Sequence, residues 1–148
     1  MKNKNQKVTE KLNKLLADYQ IFYQNLRGLH WNVKGAMFFS LHEKYEEYYN
    51  AASEVVDEIA ERILMLGGVP LHTFEDYIKM ANLKVVSNVS DGKEGVEIVL
   101  DNSRYFLESF RDILETAGEA GDEGTAAMIS EWIGETEKNI WMLESFLS

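Results

Sequence analysis

The sequence predicts an all-α protein: four long helices in a bundle, with a short extra helix in one long crossover between the second and the third. Three observations carry this. Apolar residues recur at steps of three and four over four long stretches, the periodicity of amphipathic helices. The chain has one proline, Pro70, so those stretches are free of helix breakers. Residues 71–90 then separate the second long stretch from the third, far more chain than a tight antiparallel turn needs.

The first helix is expected from about Val8 to Val33, with Val8, Leu12, Leu15, Leu16, Tyr19, Phe22, Tyr23, Leu26 and Leu29 on one face, and Gly35 as its breaker. The second runs from about Phe39 to Leu66. Its inward set is Leu41, Tyr45, Tyr48, Tyr49, Ala52, Val55, Val56, Ile59 and Ile63, and Gly67-Gly68-Val69-Pro70 stops it. Thr73 with Asp76 marks the capped start of a short helix over about Phe74 to Met80. Asp91 with Glu94 reads as a capping box opening the third long helix, whose core side is Val96, Val99, Ser103, Phe106, Phe110, Ile113 and Leu114. Gly118, Gly121 and Gly124 mark the next turn. Asp122 is placed to cap the last helix, which should bury Met128, Ile129, Trp132, Ile133, Thr136, Ile140, Leu143 and Phe146. Four long helices with one long crossover make a ferritin-like bundle, a single domain over residues 1–148 with a flexible tail at residues 1–7.

Composition narrows the function. Cysteine is absent, which removes disulfides, thiol catalysis and iron–sulfur ligation. Any metal must be held by His, Asp and Glu, a set that suits iron, manganese or zinc. The net charge is −10; such a surface repels a phosphate backbone and attracts cations. No apolar run reaches the ~18–20 residues that span a bilayer. The lysines of the first eleven residues have no hydrophobic run behind them, unlike a secretory signal, so a cytoplasmic location is expected.

Two of the three histidines, His30 and His42, flank the first turn, and Asp57 and Glu61 stand one helical turn apart further along the second helix. Taken singly, each has an ordinary explanation. Asp57 and Glu61 sit in a solvated acidic stretch with Glu54 and Glu58, where Glu58 and Arg62 are spaced for an ion pair. His42 and Glu46 repeat the spacing of four. His30 suits a packed or capping role, Trp31 a core role, and His72 an ordinary loop position. Taken together they are a set of metal ligands, yet His42 and Asp57 lie roughly 22 Å apart along one helix at ~1.5 Å rise per residue. Either the set is accidental, or the histidines of one subunit face the carboxylates of another. An intrachain di-iron site built on Glu-x-x-His pairs is excluded, because Arg27, Phe39 and Val69 stand three residues before the histidines.

Several stretches resemble the Dps family, the mini-ferritins (DNA-binding proteins from starved cells). They are Leu29-His30-Trp31-Asn32-Val33-Lys34-Gly35, Phe38-Phe39-Ser40-Leu41-His42-Glu43, Asp57-Glu58-Ile59-Ala60-Glu61-Arg62-Ile63-Leu64, Gly67-Gly68-Val69-Pro70 and Ile140-Trp141-Met142. The resemblance covers nearly the whole chain from about Val8 onward; residues 81–90 carry no signal of it. It implies a hollow homododecamer whose twofold interfaces hold the iron site, with His30 and His42 from one subunit and Asp57 and Glu61 from its partner. Glu46 falls where many members carry an aspartate ligand, and serves as a ligand or stands behind the ligands. Trp31 would lie beside the iron and absorb stray oxidising equivalents.

The implied activity is that of a ferroxidase. It oxidises Fe(II), with hydrogen peroxide preferred over dioxygen, and stores the Fe(III) mineral, protecting against oxidative stress. Zinc or manganese would suit the same ligands. Family members admit iron through acidic threefold pores near the start of the last helix. Glu119, Asp122, Glu123 and Glu131 are the local carboxylates, Glu119, Asp122 and Glu123 being the candidates, while Gly118 and Ala127 replace aspartates of some relatives. Two other functions compete: a nucleoid protein that compacts DNA, and a catalytically inactive shell. Lys2, Lys4, Lys7 and Lys11 against Glu10 give the first eleven residues a small positive charge. Against a body this acidic, weak or absent DNA binding is expected; intact His30, His42, Asp57 and Glu61 argue against the inactive shell.

Overall fold

A computed structural model describes residues 2–148, with side chains from Asn5 onward. It contains five helices: α1 (Lys2–Asn32), α2 (Phe38–Met65), α3 (Phe74–Met80), α4 (Gly92–Glu119) and α5 (Glu123–Leu147). α1 packs along α2 and α4 along α5, α1 joins the two pairs through α4, and the short α3 lies against α1. The tail expected at residues 1–7 falls at the edge of what is described: Met1 lies outside it, and α1 starts at Lys2.

The caps form as their sequences dictate. Thr73 accepts a hydrogen bond from the Asp76 amide, Asp91 from the Glu94 amide and Asp122 from the Thr125 amide, each satisfying an amide that the helix start leaves free. Gly67 and Gly121 close α2 and α4 in the left-handed region, at φ +84° and +69°, which glycine adopts without a Cβ clash.

The core is aromatic at its centre. Tyr19 and Phe22 of α1 meet Phe106 with ring centroids 4.3 and 5.1 Å apart, and Phe110 meets Trp132 at 5.9 Å. Along α5 the buried face is narrower than the spacing suggests. Ile129, Trp132 and Leu143 are buried; Met128, Ile133, Thr136 and Ile140 are half-buried; Phe146 is exposed.

Polar side chains of α1 hold the crossover in place. Asp18, 1% exposed, accepts hydrogen bonds from the amides of Asn82 and Leu83 and from the Tyr105 hydroxyl. Asn25 donates to the Lys84 carbonyl and accepts from the Val86 amide. Asn13 donates to the Val69 carbonyl and accepts from the Leu71 amide. The segment is irregular, and these backbone groups facing α1 are paired by this row of side chains.

Candidate metal centre

His30 sits in the last turn of α1 and is buried; His42 sits in the first turns of α2 and is half-buried. The Gly35 corner, at φ +108°, brings the two helices together so that the imidazoles stack, with centroids 3.8 Å apart and planes 11° from parallel. Each ring reaches the other residue's backbone. The Nδ1 of His30 donates to the His42 carbonyl, and the Nδ1 of His42 donates to the His30 carbonyl at 2.8 Å. A carbonyl only accepts, so each Nδ1 must carry a proton, and in the neutral ring it is Nε2 that offers a lone pair. The His30 carbonyl is one that the end of α1 leaves without an intrahelical partner, so the pair also closes the helix end.

Glu46 lies one turn beyond His42, and its Oε1 is 3.7 Å from His30 Nε2. Phe38 stacks on His42 at 4.9 Å, and Tyr49 meets His30 edge-on at 5.3 Å. Trp31 is 56% exposed, with the Arg27 guanidinium 4.9 Å above its ring.

Asp57 and Glu61 are both exposed on α2. Asp57 lines an open groove of about 440 Å³ with Glu54, Val56, Leu71 and Tyr77. Among the described residues, no group of three or more His, Asp or Glu side chains converges within one chain. The structure thus pairs His30 with His42, sets Glu46 3.7 Å from His30 alone, and leaves Asp57 and Glu61 outside that group.

Arg62 corrects one expectation. Rather than pairing with Glu58, it crosses to α5, with Nη2 2.7 Å from Asp122 Oδ1 and Nε 2.9 Å from Thr125 Oγ1. Helix spacing permitted the Glu58 pair, but a half-buried guanidinium gains more from two partners in a sheltered site than from one exposed carboxylate. Burial pushes the Asp122 carboxyl up; the hydrogen bonds from Thr125 and Arg62, with the charge of Arg62, outweigh it and hold the group below the ordinary carboxylate range. Asp122 is therefore engaged in structure, whereas Glu119 and Glu123 are exposed. The guanidinium lies where a side chain at position 124 would go, 2.6 Å from a Cβ built there, which accounts for Gly124.

The fold and this arrangement define a ferritin-like protein. The family model described as the ferritin-like domain matches residues 9–148. The chain is 42% identical, over 94% of its length and 87% of the relative's, to the DNA protection during starvation protein of Porphyromonas gingivalis. It superposes with a TM-score of 0.97 on a Dps protein from Vibrio cholerae O1, described as a member of a broad superfamily of ferritin-like diiron-carboxylate proteins; that protein is 46% identical, with 99% of this chain and 92% of the other covered. A Dps protein from Bacillus brevis gives the same TM-score at 36% identity, covering 100% and 99% of the two chains. The chain belongs to the Dps family, whose members act in stress protection and iron handling. None of its described helices is long and apolar enough to cross a membrane.

Proposed function

We propose that this protein is a ferroxidase cage, a homododecamer that oxidises Fe(II) at sites shared between twofold-related subunits and stores the Fe(III) mineral. The observation that carries this is the interlocked histidine pair. Its Nδ1–H groups are used on backbone carbonyls, which leaves Nε2 of each neutral ring free for a metal, and His30 Nε2 lies 3.7 Å from the Glu46 carboxylate. Imidazole and carboxylate ligands accept both iron oxidation states.

Asp57 and Glu61 complete the site from the partner subunit. A second groove, which shares Tyr77 with the one that Asp57 lines, suits such a partner: its Phe74, Ile78 and Val85 are 81%, 68% and 71% exposed, an apolar face that a monomer rarely leaves in water. Two ferrous ions each give one electron to hydrogen peroxide, breaking the O–O bond to two hydroxides. Glu119 and Glu123 form the acidic inlet for iron, and Asp122 holds the start of α5 in place beside them.

Complementation tests this reading. The His30→Ala/His42→Ala and Asp57→Ala/Glu61→Ala variants should each lose fast peroxide-driven Fe(II) oxidation, followed by ultraviolet absorbance. Shells reassembled from a mixture of the two should regain part of it, because a mixed dimer holds one intact site and one doubly defective site. Full activity in either variant, or no recovery in the mixture, would overturn a shared site.

A further inference from the structure

An aromatic path leads away from the histidine pair. The His30 ring meets Tyr49 at 5.3 Å, Tyr49 meets Tyr23 edge-on at 5.9 Å, and Arg27 lies 5.4 Å from the Tyr23 ring and 4.9 Å from the Trp31 ring. The guanidinium makes the rings it covers unequal hosts for an oxidising equivalent. An indole that loses an electron holds a positive charge, at least at first, and the cation above Trp31 opposes that charge. A phenol that loses its electron and proton together becomes a neutral radical and escapes this cost. Tyr49 is half-buried and in direct contact with His30.

From this geometry we infer that Tyr49 is a positioned one-electron donor to the iron site, and that Tyr49, not Trp31, takes up the oxidising equivalent when peroxide meets a singly loaded site. The inference rests on the ferroxidase reading above. Fe(II) and the Tyr49 phenol each give one electron to hydrogen peroxide, and the O–O bond breaks. One oxygen leaves as hydroxide and the other as water, which carries the phenol proton; Fe(III) and a neutral tyrosyl radical remain. No free hydroxyl radical is released. Tyr23, in contact with Tyr49 and beneath Arg27, is the next ring outward.

The test is freeze-quenched electron paramagnetic resonance on the assembled protein, loaded anaerobically with less than one Fe(II) per site and mixed with hydrogen peroxide. Iron oxidation is followed by absorbance in the same samples. The expected result is a radical whose hyperfine pattern collapses with ring-deuterated tyrosine and is unchanged by deuterated tryptophan. It should be lost in Tyr49→Phe and kept in Trp31→Phe. A tryptophan-sensitive signal, a signal that survives Tyr49→Phe, or iron oxidation with no radical would overturn the relay and leave the ferroxidase standing. No iron oxidation in the wild type would overturn the ferroxidase reading and the relay with it. The labelling arm reports on the wild type alone, so the choice between tyrosine and tryptophan does not depend on either variant folding, and Tyr49→Phe then assigns the ring.

Discussion

Among the described residues, the Tyr45 hydroxyl is a buried polar atom without a hydrogen-bond partner, and burial pushes its pKa up to about 12. It presses against α4 at Gly95, where a Cβ would overlap it. An orphaned buried hydroxyl costs about 1–3 kcal/mol of stability. Tyr45→Phe should therefore raise stability by about 1 kcal/mol in chemical denaturation. Gly95→Ala, damaging alone, should be tolerated in the Tyr45→Phe background, and additive effects would show that the two positions do not share space. At this scale the sequence was readable where a side chain acts within its own helix, as Thr73, Asp91 and Asp122 do as caps. It was silent where the partner is distant. The side-chain type of Arg62 gives no sign that it crosses to Asp122, nor does helical spacing show that His30 and His42 exchange hydrogen bonds with each other's carbonyls.

The helices were legible because their periodicity is local. The second was expected over about Phe39 to Leu66 and runs Phe38–Met65, and the short one falls on Phe74–Met80 as its Thr73 cap requires. The crossover after it was not legible. Its order comes from Asp18, Asn25 and Asn13, polar residues interrupting the inward face of α1, whose partners are 56 to 65 residues away. The Tyr105 hydroxyl belongs to the same latch; burial, reinforced by its bond to Asp18, pushes its pKa to about 12. Asp18→Ala would strand two amides and a phenol against α1. A loss of about 2–4 kcal/mol is expected, together with faster hydrogen exchange at the amides of Asn82 and Leu83. Exchange unchanged there would mean that packing alone holds the crossover.

Across the whole molecule, charge sets what the surface can bind. Each chain carries −10, and Lys11, one of the few cations near the N-terminus, is engaged with Asp112 at 2.9 Å and the Thr116 hydroxyl at 2.7 Å. A shell of such chains should give no retarded band with duplex DNA at 0.15 M salt and at most a weak one at low salt. Strong retardation at the higher salt would show that the first residues outweigh the body. The clamp between the histidines has a further consequence at this scale. Each ring is fixed by a backbone carbonyl, not by cargo, so under the proposed function draining the mineral would leave both Nε2 atoms where loading needs them. On the ferroxidase-cage proposal, a shell emptied by reductant and chelator should refill at the rate of a fresh one, as a rechargeable vessel does and a single-use sponge does not.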